Sequence, residues 1–264
     1  MKQINEINDL LRFIQLKKEE SKTIGFVPTM GTLHTGHDSL VKKCQEENEI
    51  TIVSIFVNPI QFNNQEDFIN YPRNLILDVT RLKKLNCDVL FCPSIDEISK
   101  IPEPNVNLNL GNLNLILEAR QRPGHFKGVI NIVSKLFEIV SPNKAYFGEK
   151  DLQQLLIIKQ LCRQKFNNIQ IVSCPTIRSR EGLAQSSRNK NLNPSELLLA
   201  TSIYKVLNEV QKNKWNWSVK KIKNYVKNYL HNLSRINLDY FEIIESESFS
   251  FTQEIHSNCN YYAM

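Results

Sequence analysis

The chain has 264 residues, of which 41% are hydrophobic and 23% charged, with a net charge of +6. That is enough to bury one large or two modest domains, and the balance excludes disordered and fibrous classes. The polar start Met1-Lys2-Gln3-Ile4-Asn5-Glu6 lacks a signal-peptide core, and no stretch is long and apolar enough to span a bilayer, so a cytoplasmic protein without membrane partners is expected.

An amphipathic helix is predicted over residues 4–19. A β-rich run over 24–27 stops at Pro28; Gly31 and Gly36 follow, then a helical pattern over 39–47. Strand, glycine-containing turn and helix is a layout that aims backbone N–H groups and a helix N-terminus at a phosphate. Within it His34 and His37, three apart, share a face if helical. As residues alone they fit a nucleoside triphosphate gripped by imidazoles and backbone, half of a metal site, or two unrelated surface histidines. Zinc requires three or four ligands, and the chain has no His-Glu-x-x-His.

The next strand, over 50–57, ends before Pro59, where Asn58 and Gln61 offer amides that both donate and accept. These suit recognition of hydroxyls and a carboxylate, or simply a turn. A helix over 75–85 and a strand over 88–92 follow, then a polar stretch over 105–114. Arg122, His125 and Lys127 open a helix running over 129–139, as a cationic cluster for an anion or as surface charges at a capped start. A strand over 144–147 leads into Gly148-Glu149-Lys150-Asp151. Here Gly148 allows close approach, Lys150 can neutralise a phosphate and Asp151 is a candidate N-cap. Gln154 follows one turn on, in a helix over 152–164, and a strand over 169–174 closes the alternation.

Beyond Cys174 the texture changes. Residues 175–194 are polar and carry Arg178, Gly182, Ser186, Ser187 and Arg188; they read as a mobile loop, either a lid over polyphosphate or a solvated linker. Helices over 195–211 and 218–233 and a β-like tail over 240–245 complete the chain. Lysines over 205–235 interleave with Trp215, Trp217, Tyr225 and Tyr229, a composition that can bind single strands. It equally fits the solvated face of a helix whose Val219, Ile222, Val226, Tyr229 and Leu230 point inward. No RNA-binding motif accompanies it, so no nucleic-acid partner is expected. The six cysteines lack C-x-x-C spacing and read as reduced thiols.

Strand runs without polar alternation, alternating with helices, imply an α/β fold. We expect a Rossmann-like parallel sheet with helices on both faces over 1–175, binding nucleotide and substrate. A smaller C-terminal α+β domain over 176–264 is expected to act as a lid. The candidate residues then gather at the carboxyl ends of the strands.

Five blocks in order, Pro28-Thr29-Met30-Gly31-x-Leu33-His34-x-Gly36-His37, Phe56-Val57-Asn58-Pro59-x-Gln61-Phe62, Arg122-Pro123-Gly124-His125-Phe126, Phe147-Gly148-Glu149-Lys150-Asp151 and Gly182-Leu183-Ala184-x-Ser186-Ser187-Arg188-Asn189, resemble the signature blocks of the pantothenate synthetases. The resemblance implies an ATP-dependent ligase of the His-x-Gly-His nucleotidyltransferase group. Such a ligase joins pantoate to β-alanine through a pantoyl adenylate, as a homodimer. It implies catalytic roles for His37, as general acid, and for His34, Lys150 and Arg188. Met30, Gly31, His34, His37, Gly148, Glu149, Lys150, Asp151, Ile177, Gln185, Ser186, Ser187 and Arg188 would bind ATP. Gln61 and Gln154, with Asn58 and Arg122, would bind substrate, and Asp78 would be linked to Mg²⁺. Gln185 stands where the family usually has Met or Leu, and Ala119 where it has Gly. The chain stops at Met264 without the family's usual final strand, so a less stable second domain, or one whose closure is altered, is expected. Two rival readings are another nucleotidyltransferase making a different adenylate, and a non-catalytic nucleic-acid-binding protein.

Overall fold

The computed structural model describes residues 1–257 and 259–263. The chain divides into two units: Met1–Leu110 with Arg122–Ile177, and Gly111–Gln121 with Arg178–Met264. In chain order the elements begin β1 Lys2–Ile4, α1 Ile7–Glu19, β2 Ile24–Thr29, α2 Thr35–Glu47 and β3 Ile50–Ile55. Then come α3 Gln65–Asn70, α4 Leu75–Lys84, β4 Val89–Phe91 and α5 Ile95–Ser99. A short α6, Glu118–Gln121, belongs to the second unit; α7 His125–Val140, β5 Lys144–Gly148, α8 Leu152–Lys165 and β6 Gln170–Cys174 return to the first. The second unit continues with α9 Pro194–Asn213, α10 Val219–His231, β7 Ile243–Glu245 and β8 Tyr261–Ala263.

Among the described residues the first unit holds a six-stranded sheet of order β1-β4-β3-β2-β5-β6. Every pairing in it is parallel. Successive strand side chains face opposite ways. Val27, Val53, Leu90 and Tyr146 therefore form one buried cluster with Leu40, Val41 and Cys44 of α2 and Leu82 of α4. From the other face Phe26 meets Phe137 of α7 edge-on, 6.4 Å between centroids. Covering both faces is why these strands read as unbroken apolar runs. The order reverses between β2 and β5, the switch point outside whose carboxyl ends open α/β sheets bind ligands. Burial pushes the thiols of Cys44, Cys87, Cys92 and Cys162 up to about 12, which leaves them unreactive.

Several expectations need correction. The first helix begins at Ile7, because Lys2–Ile4 is an edge strand in register with Val89–Phe91. Three residues are too few to show a period, and the apolar Ile4 reads equally as helix. The helix after Arg122 starts at His125, set up by Gly124 in the left-handed region at φ +84°. Residues 178–184 are not a featureless loop: Arg178 bridges Ala184 in antiparallel fashion, and Ser179 N–H donates to Leu183 O at 2.8 Å. Tyr261–Ala263 pairs with Ile243–Glu245, consistent with the strand preference of aromatic residues. Met264, the last residue of that expectation, lies outside the described residues.

In the second unit α9 starts with a capping box of Asn193 and Glu196 around Pro194. Its Val206 and Val210 join Val219, Ile222, Val226 and Leu230 of α10 and Ile243 in a separate core. Trp217, Tyr225 and Tyr229 pack against that core, while Lys220, Lys221 and Lys227 are exposed. The basic, aromatic composition over 205–235 is thus shared between the end of α9 and the amphipathic α10, with Trp217, Tyr225 and Tyr229 against the core and Trp215 exposed. No described helix is long and apolar enough to cross a membrane.

Candidate active site

β2 delivers the chain into a tight turn. Thr29 Oγ1 donates to Ser54 O at 2.8 Å and accepts Gly31 N–H at 3.1 Å. Gly31 sits at φ +81°, which glycine adopts freely, and Thr32 at φ +51°, which a β-branched residue does not. The turn ends at His34, the N-cap of α2. His34 Nδ1 accepts Gly36 N–H at 3.1 Å, and His34 N–H donates to His37 Nδ1 at 3.3 Å. Two imidazoles thereby do what Ser and Glu do in a usual capping box. Their rings lie 4.1 Å apart. Because each Nδ1 accepts a backbone N–H, each neutral ring carries its proton on Nε2. Burial lowers the His37 pKa to about 3, helped by His34, Arg81 and Lys150. Burial also lowers that of His34 to about 4, with Lys150 and Arg81 adding to it. Both rings are neutral at physiological pH and present donors, not charges.

β3 ends in a 3₁₀ turn, Pro59–Gln61, capped by Asn58. Asn58 is 4% and Gln61 7% exposed. Asn58 Nδ2 donates to Gln61 Oε1 at 3.2 Å and to Gly128 O at 3.0 Å. Gln61 Nε2 lies 2.9 Å from Met30 Sδ, so the amide is held beside the β2 turn. From α7, His125 Nδ1 donates to Gln61 O at 2.6 Å. A Cβ on Gly128 would come within 2.8 Å of Gln61 N; only glycine lets α7 approach that backbone so closely. His125 is therefore buried against the Gln61 turn, whereas Lys127 is exposed and Arg122 half-buried. The cationic cluster read from the sequence loses its histidine. Sequence reasoning gave His125 a different part, as one of three cations, and did not assign Gly128 to the site. Their signal, a His and a Gly on an otherwise apolar helix face, is one that ordinary packing also produces.

Beyond β5, Gly148 leads into a 3₁₀ turn, Glu149–Asp151, and then α8. Asp151 occupies the N-cap position of α8, but its carboxylate takes Lys150 Nζ at 3.1 Å instead of a backbone N–H. Lys150 stands near enough to lower both imidazole pKa values by its charge. Gln154 is half-buried in the first turn of α8. Ile177, at 36% exposure, ends the first unit.

Gln185, Ser186, Ser187 and Arg188 belong to the second unit. Ser186 caps a 3₁₀ turn, Ser187–Asn191, accepting Arg188 N–H at 3.3 Å. Asn189 Nδ2 donates to Ala184 O at 3.0 Å, tying this turn to the bridged segment before it. Arg188 is exposed and Ser187 buried. Ser186, Ser187 and Arg188 are thus gathered on one ordered turn, with Gln185 directly before it.

Asp78 is 3% exposed. Its Oδ2 accepts Thr32 N–H and its Oδ1 accepts Leu33 N–H, both at 2.7 Å. That is a poor fit to the Mg²⁺ role implied for it, since Mg²⁺ keeps several waters and needs room for them. Among the described residues no group of three or more His, Cys, Asp or Glu is placed to hold a metal.

Comparison with known proteins bears on the family of the whole chain. The family model described as pantoate-beta-alanine ligase matches residues 2–263. The pantothenate synthetase of Cytophaga hutchinsonii is 42% identical over 247 residues, covering 93% of this chain and 87% of its own length. That of Thermotoga petrophila is 40% identical, over 97% of this chain and 91% of its own. The crystal structure of the Thermus thermophilus pantothenate synthetase superposes with a TM-score of 0.90 at 33% identity, covering 99% of this chain and 93% of its own. The Francisella tularensis pantoate-beta-alanine ligase, complexed with beta-gamma ATP and beta-alanine, gives 0.77 at 37% identity, covering 100% and 97%. The family model, the relatives and the superposed structures lead to one conclusion: the chain belongs to the pantoate-β-alanine ligase family.

Proposed function

We propose that this chain condenses (R)-pantoate with β-alanine in two steps at the carboxyl edge of its parallel sheet, driven by ATP. In the first, a pantoate carboxylate oxygen attacks the α-phosphorus of ATP, and the bond to the bridging oxygen of pyrophosphate breaks. In the second, the amine of β-alanine attacks the carbonyl of the pantoyl adenylate. AMP leaves, and the nitrogen gives up its proton as the amide of pantothenate forms. The first step turns an unreactive carboxylate into an acyl donor. The protein's share is to align the groups and to stabilise charge on the phosphate oxygens.

The observation that most supports this reading is the imidazole pair at the N-terminus of α2, its Nδ1 atoms turned inward and Lys150 nearby. Two Nε2–H donors, a helix N-terminus and an ammonium suit a triphosphate whose charge moves from carboxylate to pyrophosphate. With its pKa about 3, His37 acts in this reading as a neutral hydrogen-bond donor in place of a general acid. Gln61 and Gln154 hold pantoate, and Gln61 also approaches β-alanine. Asn58 acts through Gln61, since its amide is engaged with Gln61 and Gly128. Met30, Gly31 and residues 148–151 line the nucleotide, together with Ile177. Gln185, Ser186, Ser187 and Arg188 also bind ATP, and exclusion of water protects the anhydride. Arg122 contributes positive charge at the substrate end. Mg²⁺ enters as part of the nucleotide substrate, and the working species is a homodimer.

The test is exchange of labelled pyrophosphate into ATP with pantoate and Mg²⁺ present and β-alanine absent. Exchange that depends on pantoate supports the adenylate. Exchange driven by a different acid, with pantoate inert, would move the chain to another adenylating activity.

A further inference from the structure

The turn that carries the imidazoles is held from α4. Asp78 accepts Thr32 and Leu33 N–H at 2.7 Å each. Thr32 Oγ1 donates to Pro72 O, just before that helix, at 2.5 Å. One turn after Asp78, Arg81 reaches the first turn of α2: Nε and Nη2 donate to Asp38 Oδ1 and Oδ2 at 2.6 and 2.7 Å. A third guanidinium N–H points at Leu33 O at 3.5 Å. Thr32 sits at φ +51°, a conformation that persists only where neighbours over-determine it. Two charge-assisted hydrogen bonds to the very residues at and after that strained position supply such restraint. Gly31 is fitted to the same carboxylate, since a Cβ there would lie 3.0 Å from Asp78 Oδ2.

We propose that Asp78, with Arg81, is a positioning residue that fixes the turn bearing His34 and His37, and is not a ligand of Mg²⁺. Each oxygen of the carboxylate accepts a backbone N–H, in a place that 3% exposure closes to a hydrated cation. Asp78→Asn separates the two roles. The amide nitrogen cannot accept, so one N–H of the pair faces a second donor.

The first readout needs no activity and so stands whatever the reaction proves to be. Amide hydrogen exchange at Thr32 and Leu33 should quicken about tenfold or more in D78N, the change expected from losing a hydrogen bond to a charged group. Exchange as slow as in the unaltered protein would overturn the proposal. So would a shift of the Asp78 carboxyl carbon resonance when excess Mg²⁺ is added to the unaltered, nucleotide-free protein. The second readout rests on the adenylating function proposed above. In D78N the maximal rate of pantoate-dependent exchange should fall about tenfold or more, as restraint worth one charged hydrogen bond is lost, with the Mg²⁺ concentration for half-maximal rate unchanged. A raised Mg²⁺ requirement, with the rate restored by excess Mg²⁺, would show a ligand instead. Should D78N fail to fold, Arg81→Lys carries the test. It keeps the charge and loses the fork, and the same two amides must exchange faster or the proposal falls.

Discussion

An imidazole usually works near its own pKa, and the pair at the start of α2 does not. Each Nδ1 is engaged by a backbone N–H, and burial holds the two pKa values at about 4 and about 3 against an ordinary 6.5. The sign follows directly. The unfolded chain takes up protons near pH 6.5 that the folded chain declines until much lower pH, so acid withdraws stability below about pH 6.5. Above that, neither state is protonated and the pair contributes no slope. Nuclear magnetic resonance titration of the two rings should show both neutral, with the proton on Nε2, down to pH 5. A midpoint near 6.5 for His37 would restore the general-acid reading and remove its role as a neutral donor. His37→Ala should leave the fold intact and cost on the order of 10² in adenylate formation, the usual toll of losing one preorganised donor. Normal turnover in that variant would exclude His37 from the mechanism. The pair itself was legible in the sequence, because a His-x-Gly-His placed between a strand and a helix already puts both rings at a helix N-terminus. The direction of each Nδ1 was not, since it depends on the turn closing back on itself.

At the scale of elements, the Gln61 turn shows what a sequence leaves out. Gln61 can be picked out by its place after β3. What holds it comes from α7, more than sixty residues on, through His125 Nδ1, Gly128 O and the bare Cα of Gly128. His125 looked like one of three cations because Arg122 and Lys127 flank it in sequence. The left-handed Gly124 turns it inward at the first position of the helix. Gly128→Ala is the direct test. A methyl 2.8–2.9 Å from the Gln61 and Ile60 backbone must push that turn away. Overpacking of this kind costs typically 1–3 kcal/mol. The melting temperature should drop, and the KM for pantoate should rise more than tenfold while the KM for ATP changes little. Equal rises in both constants would mean that the turn does not belong to the pantoate end. Elsewhere the strands and long helices of the sheet could be read from their apolar periods. β1, α3, α5 and α6 could not, being of three to six residues and held by contacts remote in sequence.

Across the whole molecule, the reversal of strand order between β2 and β5 brings the two glycine-containing turns, 29–37 and 148–151, to one end of the sheet. Local pattern predicts a parallel α/β sheet; the strand order emerges only once β1 pairs with β4 and β5 with β2. The units divide the candidate residues in a way that can be tested. His34, His37, Gln61, Lys150 and Gln154 belong to the first, and Gln185, Ser186, Ser187 and Arg188 to the second. Within the second, Ser186 and Asn189 fix the Arg188 turn through hydrogen bonds internal to that unit. If pantoate is held by the first unit alone and Arg188 answers charge on the nucleotide, truncating Arg188 should separate binding from chemistry. In Arg188→Ala, pantoate affinity measured by calorimetry without nucleotide should stay within about twofold, while the rate of pantoate-dependent pyrophosphate exchange falls by on the order of 10². A charged guanidinium acting only on the developing pyrophosphate lowers the barrier without strengthening the ground state. A large loss of pantoate affinity would place Arg188 on the acid instead of the nucleotide. An unchanged exchange rate would mean that the second unit completes no part of the first step, and that its contribution begins with β-alanine.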